Sequence, residues 1–353
     1  MKTAIIGLPM VGKTSLFTIL TGVATESRVG QQAMRAGIAK VPDARLHALA
    51  TRYPDARIIQ ATVEYLDAPA IAKETLREAS YLGSLRVVDA FAHVVRVFED
   101  PTVPHEHGTV DPLRDIDSVD TELILSDLVV VEKRLERLEK DRKKQKSLEL
   151  DREFELLTQA KAMLEDNKPL RGMTLDSEDE KRVRGFQFLS QKPMLYVLNL
   201  GEEDASKLTE REAELRALVG DRPGTAVTAV CGKIEAELAE LPAAEAAEYM
   251  ASYGLAQSGL ERIITATYTL LGLMSFLTAG DKEVRARTIP IGTAAKMAAG
   301  AIHTDLSDRF SRAKVIQWET IVEMGEDGAK AKGLVRYEGK EYIVKDGDVL
   351  EIL

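Results

Sequence analysis

The sequence predicts an α/β protein: a parallel sheet, split by a helical insertion and followed by a small mixed α+β region. Three observations lead there. Short apolar, β-rich runs alternate with helical patterns at the start of the chain, as right-handed βαβ units require. A glycine-rich loop separates the first run from the first helical pattern. A polar stretch with a two-helix seam then interrupts the alternation before it resumes.

Residues 3–6, 62–66 and 90–98 read as strands buried on both faces, and residues 194–198 and 225–230 add two more. Residues 15–21 read as the first helix. Within the insertion, Ile124, Leu128, Val131, Leu135 and Leu138 are spaced 4, 3, 4, 3, which is an a/d seam. Leu150, Phe154, Leu157 and Leu164 continue it after a polar break, so an antiparallel coiled-coil hairpin is expected. Its turn, residues 140–146, carries five basic side chains and one acidic. That run reads either as a solvated tip or as a contact for phosphate or an acidic partner. The apolar stretch around residues 268–277 reads as a buried helix. Beyond it, residues 283–291 alternate as a strand, 293–302 read as a helix, and 342–353 read as a hairpin turning at 345–348. The expected domains are 1–111 with 192–277, the insertion 112–191, and a closing domain 278–353.

Composition bounds the function. The 353 residues are 45% hydrophobic and 29% charged, which suits a globular chain of two or three domains and excludes extensive disorder. The single cysteine, Cys231, excludes a disulfide framework and a cysteine-rich zinc site. A net charge of −10 argues against coating nucleic acid with the whole surface, and DNA is not an expected partner. The interrupted apolar N-terminus is neither a signal peptide nor an anchor, so a cytoplasmic protein without a membrane partner is expected.

The glycine-rich loop runs Gly7-Leu8-Pro9-Met10-Val11-Gly12-Lys13-Thr14-Ser15 and fits G-x-x-x-x-G-K-[ST] at every position. Glycines let backbone N–H groups close around phosphate oxygens, and the following helix N-terminus adds its positive end. Lys13 is expected on the β- and γ-phosphates and Thr14 on Mg²⁺, with Asp67, at the end of the second run, as the acidic metal partner. The base should be read after a later strand, where Asn199-Leu200-Gly201-Glu202 stands. GTPases place an aspartate three residues after such an asparagine; glutamate is one methylene longer and weakens guanine selectivity. Cys231, Gly232 and Lys233 follow the last strand and could wrap the base.

These pieces resemble one family, the YchF/Obg-like ATPases of the translation-factor class of P-loop proteins. The loop, residues 41–49 (VPDARLHAL), the run His93-Val94-Val95-Arg96-Val97-Phe98, the N-x-x-E at Asn199 and Glu202, residues 230–241 and the tail from Phe276 through Arg287 to Asp305 are similar to its motifs. The resemblance implies a P-loop ATPase domain, a coiled-coil domain in the insertion and a ubiquitin-like β-grasp TGS domain at the C-terminus. It implies ATP in preference to GTP, Mg²⁺, and a ribosome or RNA partner met through the coiled-coil tip and the TGS domain.

Two switch elements depart from that pattern. The family's first-switch threonine is matched here by Ala33, which has no oxygen to offer, with the neighbouring Thr25 an alternative only if the loop shifts. The second switch reads Asp67-Ala68-Pro69-Ala70-Ile71, so Ala70 replaces the D-x-x-G glycine. Ile71 stands where Ras-type enzymes carry a water-positioning glutamine, and the family is itself hydrophobic there. Residues 73–84 lack the family's glycine-rich stretch. Nucleotide binding is therefore expected to survive better than hydrolysis, which is slowed by roughly 10²-fold or more; a hydrolysis-deficient scaffold is the alternative. His93 is expected to be packed and hydrogen-bonded, and His303 either to cap a turn or to touch RNA. Residues 281–314 carry seven basic and four acidic side chains, so RNA contact is conceivable there as well.

Overall fold

The computed structural model describes residues 1–23, 34–71, 78–219 and 222–353. In chain order, β1 (Lys2–Ile6), α1 (Lys13–Thr21), β2 (Arg35–Lys40), α2 (Ala44–Ala50), β3 (Arg57–Ile59), β4 (Thr62–Asp67), α3 (Ala79–Arg86) and β5 (Ala90–Arg96) precede two long helices, α4 (Pro112–Lys144) and α5 (Leu148–Glu165). Then follow α6 (Ser177–Val183), β6 (Met194–Asn199), α7 (Leu208–Val219), β7 (Thr225–Val230), α8 (Gly232–Glu240), α9 (Ala243–Ser252) and α10 (Gly259–Leu270). The remainder holds β8 (Leu273–Ala279), β9 (Glu283–Pro290), α11 (Ala295–Ile302), α12 (Thr304–Asp308), β10 (Ala313–Gln317), α13 (Trp318–Ala331), β11 (Arg336–Glu338) and β12 (Asp348–Ile352). Two compact units form, Met1–Gly37 with Glu64–Ala266, and Ile38–Val63 with Thr267–Leu353.

The first unit carries a six-stranded sheet in the order β2-β4-β1-β5-β6-β7. The ladders β4·β1, β1·β5, β5·β6 and β6·β7 are parallel, as expected of strands buried on both faces. Their register matters for function. Ile5 faces Asp67, Ile6 faces His93, Arg96 faces Asn199, and Asn199 faces Val230. Strands β4 and β1 therefore end at one level and β5, β6 and β7 three residues further on, and the loops that leave them share the carboxyl edge where open α/β sheets bind ligands. Strands β5 and β6 are direct neighbours although α4, α5 and α6 intervene in the chain, so the insertion leaves the sheet's order undisturbed.

Helices α4 and α5 pack as the seam predicts. Ile124, Val131, Leu138, Leu157 and Leu164 are buried in one cluster, with Leu128, Leu135, Leu150 and Phe154 packed against it. Asp111 caps α4 by accepting from the Arg114 amide at 3.1 Å, with Pro112 at the position where a missing N–H costs nothing. Helix α4 stops at Lys144, and the α5 N-terminus is only a few residues on. At this tip Arg142 lies over the Phe154 ring at 4.3 Å and pairs with Asp151 at 2.6 Å. Lys140, Lys143, Lys144 and Lys146 are exposed.

In the second unit the sheet order is β11-β10-β12-β8-β9-β3, over a core that includes Phe276, Ile289, Ala298, Val315 and Leu350. Residues 38–63, expected within the first domain, cluster here. Strand β3 adds parallel to β9, and Arg52 donates to the carbonyls of Val322 (2.8 Å) and Glu323 (2.6 Å). Two expectations are corrected. The run 268–277 is not one helix: α10 ends at Leu270, Gly272 takes φ 62°, which favours glycine, and β8 begins at Leu273. The hairpin over 342–353 does not form either. The turn exists, with the Asp348 amide donating to the Lys345 carbonyl at 3.1 Å. However, β12 is already flanked by β10 and β8, so no ladder edge is left for residues 342–344. His303 caps α12, its Nδ1 accepting from the Asp305 amide at 3.2 Å, which matches the capping alternative.

Candidate nucleotide site

The loop between β1 and α1 needs glycine at two positions. Gly7 (φ 146°) and Gly12 (φ 97°) lie in the region that L side chains rarely adopt. A Cβ on Gly7 would stand 2.5 Å from the Val94 carbonyl oxygen, and one on Gly12 would stand 2.5 Å from Asn199 Nδ2. Met10 also takes positive φ, 61°, and its side chain is exposed. Pro9 is half-buried and Val11 buried, so the loop is anchored below and open above. Helix α1 starts with no side-chain cap and no acidic residue in its first turn, which leaves that turn's N–H groups facing the loop for an anion. Ser15 is exposed in the same turn.

Lys13 is buried, and its Nζ donates to the Leu8 carbonyl at 2.5 Å. Burial pulls its ammonium down to about 8, and the negative charge of Asp67 opposes that pull. Such a lysine lacks a sufficient counter-charge, which polyphosphate would supply. Thr14 Oγ1 donates to Asp67 Oδ2 at 3.2 Å. Asp67 also pairs with Arg35, which opens β2. Among the described residues no three His, Cys, Asp or Glu side chains gather to hold a metal by themselves. Thr14 hydroxyl and Asp67 carboxylate form an all-oxygen donor pair that fits Mg²⁺ completed by phosphate and water.

Behind the loop, Asn199 is a clamp. Its Nδ2 donates to the Val11 carbonyl at 3.0 Å, and its Oδ1 accepts from the Gly232 amide at 3.0 Å. The residue thus ties the phosphate loop to the turn after β7. Glu202 pairs with Lys233 and accepts from Tyr253 Oη at 3.3 Å; the Lys233 hydrogen bond is the main reason its carboxyl is held below the usual range. Leu200 and Cys231 are buried beside them, and burial pushes the Cys231 thiol up. A cavity of about 470 Å³ opens here, lined by Gly12, Ser15, Asn199, Leu200, Glu202, Gly232 and Lys233.

Six further residues line that cavity and were not singled out in the sequence as ligand contacts: Leu16, Phe98, Glu99, Asp100, Glu203 and Ala236. Arg96 holds three of them in place. Its buried guanidinium donates to the carbonyls of Phe98 (3.0 Å), Val103 (3.0 Å), Pro104 (3.4 Å) and Asp100 (3.3 Å). The available signal was a charged residue inside an apolar strand, which must find partners.

Ile71 is buried, and its amide donates to the Gly7 carbonyl at 3.0 Å. Ala70 is half-buried, and Tyr81 Oη donates to the adjacent Pro69 carbonyl at 2.9 Å. Thr25, Ala33 and residues 72–77 lie outside the described residues. One expectation fails at His93: it is packed edge-on to Tyr196, but neither ring nitrogen has a hydrogen-bond partner among the described residues. Burial lowers its pKa to about 4, so the ring is neutral and serves as packing under Gly7.

A phosphate loop at the carboxyl edge of a parallel sheet, with a buried lysine and a threonine–aspartate pair, defines a P-loop nucleotide-binding protein. The C-terminal stretch 273–353 matches the family model YchF-GTPase_C, described as "Protein of unknown function (DUF933)". The chain is 38% identical over 360 residues to the ribosome-binding ATPase YchF of Bacillus subtilis, covering 99% of this chain and 98% of that protein. It is 39% identical over 361 residues to the Haemophilus influenzae YchF, with the same coverage, and 34% identical over 363 residues to Obg-like ATPase 1 of Oryza sativa, covering 99% of this chain and 91% of the rice protein. The solved Schizosaccharomyces pombe YchF GTPase superposes with a TM-score of 0.85 at 27% identity, covering 100% of this chain and 97% of that one. The chain belongs to the YchF family.

Proposed function

We propose that the protein binds ATP with Mg²⁺, hydrolyses it slowly, and docks on the ribosome. The observation that carries the nucleotide half is the convergence of Lys13, Thr14 and Asp67 beneath an uncapped helix start. Lys13 would take the β- and γ-phosphates and Thr14 and Asp67 the metal. The metal would draw charge from the terminal phosphate when bound. The base would enter the cavity behind Asn199, where Glu202, Glu99, Asp100 and Glu203 offer acceptors to an exocyclic amine or to ribose hydroxyls. Relatives named ribosome-binding ATPases support both the nucleotide and the partner. We assign the nucleotide-binding role to residues 1–37, 64–111 and 192–266, and the docking role to the hairpin 112–191 and the second unit, 38–63 with 267–353. A ribosome partner implies a cytoplasmic setting.

Turnover of radiolabelled ATP by wild type and Lys13→Ala tests the enzymatic half, and equal background rates in the two would overturn it. Charge reversal of Lys143 and Lys144 should weaken cosedimentation with ribosomes, most clearly at low salt. Unchanged cosedimentation would leave the tip merely solvated.

A hydrolysis-deficient scaffold is the second reading, and Ala70 in place of the second-switch glycine favours it. Ile71, hydrophobic as in the family, is 2% exposed with its amide donating to the Gly7 carbonyl, so its side chain brings no polar group to a water in either reading. Single-turnover assays separate the two: tight ATP binding without ADP formation supports the scaffold, and measurable ADP supports the slow enzyme.

A further inference from the structure

The sequence motif accounts for Lys13, Thr14 and Asp67 but not for Arg35. Arg35 opens β2, and its Nη2 pairs with Asp67 Oδ2, the same oxygen that Thr14 Oγ1 approaches at 3.2 Å. Its guanidinium carbon stands 5.7 Å from the centroid of the Phe17 ring, which is buried in α1. Asp67 is 6% exposed and Arg35 32%, so the acid is fixed in the protein while the base reaches it from the rim. A buried carboxylate needs a compensating cation, and in this arrangement Arg35 supplies it.

We propose that Arg35 is a built-in competitor of the metal: it occupies Asp67 until Mg²⁺ arrives with nucleotide, and so sets the metal concentration at which the site fills. This rests on the nucleotide reading given above. A guanidinium and a divalent cation on one carboxylate repel each other, so metal entry must displace Arg35 or tolerate its charge. Displacement is open to it because its side chain, unlike that of Asp67, is about one-third exposed. The released guanidinium would then lie beside the loop that holds the phosphates. Its planar donors suit phosphate oxygens as well as a carboxylate.

The test is equilibrium binding of a fluorescent, non-hydrolysable ATP analogue at fixed concentration, titrated with Mg²⁺, for wild type, Arg35→Ala, Arg35→Gln and Arg35→Lys. Removing the charge in the alanine and glutamine variants should lower the half-saturating Mg²⁺ concentration by about threefold to tenfold, with lysine between them and wild type. Two neutral variants guard against one that fails to fold. If the analogue binds but the midpoint is unmoved, or moves to higher Mg²⁺, the competition is overturned while the nucleotide reading stands. If wild type binds no analogue with or without metal, the nucleotide reading falls and takes the competition with it.

Discussion

Replacing Lys13 by methionine keeps the apolar stem and removes a buried ammonium, and it should make the nucleotide-free protein more stable while abolishing ATP binding. The difference between the lysine's ordinary 10.5 and about 8 in the fold corresponds to about 3 kcal/mol held against the charged form. Loss of the ammonium–Leu8 hydrogen bond returns about 1.5 kcal/mol, leaving a net gain of about 1–2 kcal/mol at pH 7. The sign with pH follows from proton counting. The folded protein sheds the Lys13 proton near pH 8, whereas the unfolded chain keeps it to 10.5. Between those values the unfolded state binds more protons, so the lysine's penalty fades as pH rises. Urea denaturation of both proteins at pH 7 and pH 9.5 should therefore show the methionine variant ahead at pH 7 and its lead reduced or reversed at pH 9.5. By the same linkage, wild type should take up about half a proton per ATP bound at pH 8, read by calorimetry in two buffers of different ionisation heat. A variant no more stable than wild type at pH 7, or a lead that does not shrink with pH, would refute the reasoning.

Asn199→Ala breaks the clamp between Val11 and Gly232 and should cost about 1–3 kcal/mol in denaturant unfolding, together with a loss of ATP affinity. Stability lost without affinity lost would confine Asn199 to a structural role. Glu202→Asp shortens the side chain that Lys233 and Tyr253 hold at the cavity, and should reduce the ATP-to-GTP affinity ratio by about tenfold; an unchanged ratio assigns base selection elsewhere. Leu138→Ala, in the buried seam of α4, should cost about 2–5 kcal/mol of stability by differential scanning calorimetry and weaken ribosome cosedimentation, while ATP binding in the separate sheet site stays within about twofold.

Chemistry tied to chain spacing was legible in the sequence. The phosphate loop needs no tertiary information, because glycine, lysine and threonine sit at fixed covalent intervals between a strand and a helix. The coiled coil was legible for a similar reason: Ile124, Val131 and Leu138 repeat with the period of the seam that buries them. What was missed depends on pairing across the chain. Strand β3 is three residues long, with two of them exposed, and becomes a strand only by lying against β9, whose residues are more than two hundred positions away. In strand β2 (RAGIAK) five of the six residues are charged or small, which leaves Ile38 as its one large apolar side chain. The run through residues 268–277 is largely apolar on both sides of the break, so only Gly272 marks the change from helix to strand. At the site, Phe98, Glu99 and Asp100 line the cavity because Arg96 gathers their loop by its carbonyls, and carbonyls leave no mark in a sequence. Arg35 meets Asp67 from a different strand, so no local motif contains it.

Titration calorimetry of Mg²⁺·ATP against Mg²⁺·GTP, with wild type and Lys13→Ala, tests the central claim most directly. The account predicts one site per chain, ATP bound more tightly than GTP, and no measurable heat with the alanine variant. GTP bound more tightly than ATP, or equal binding by wild type and Lys13→Ala, would contradict it.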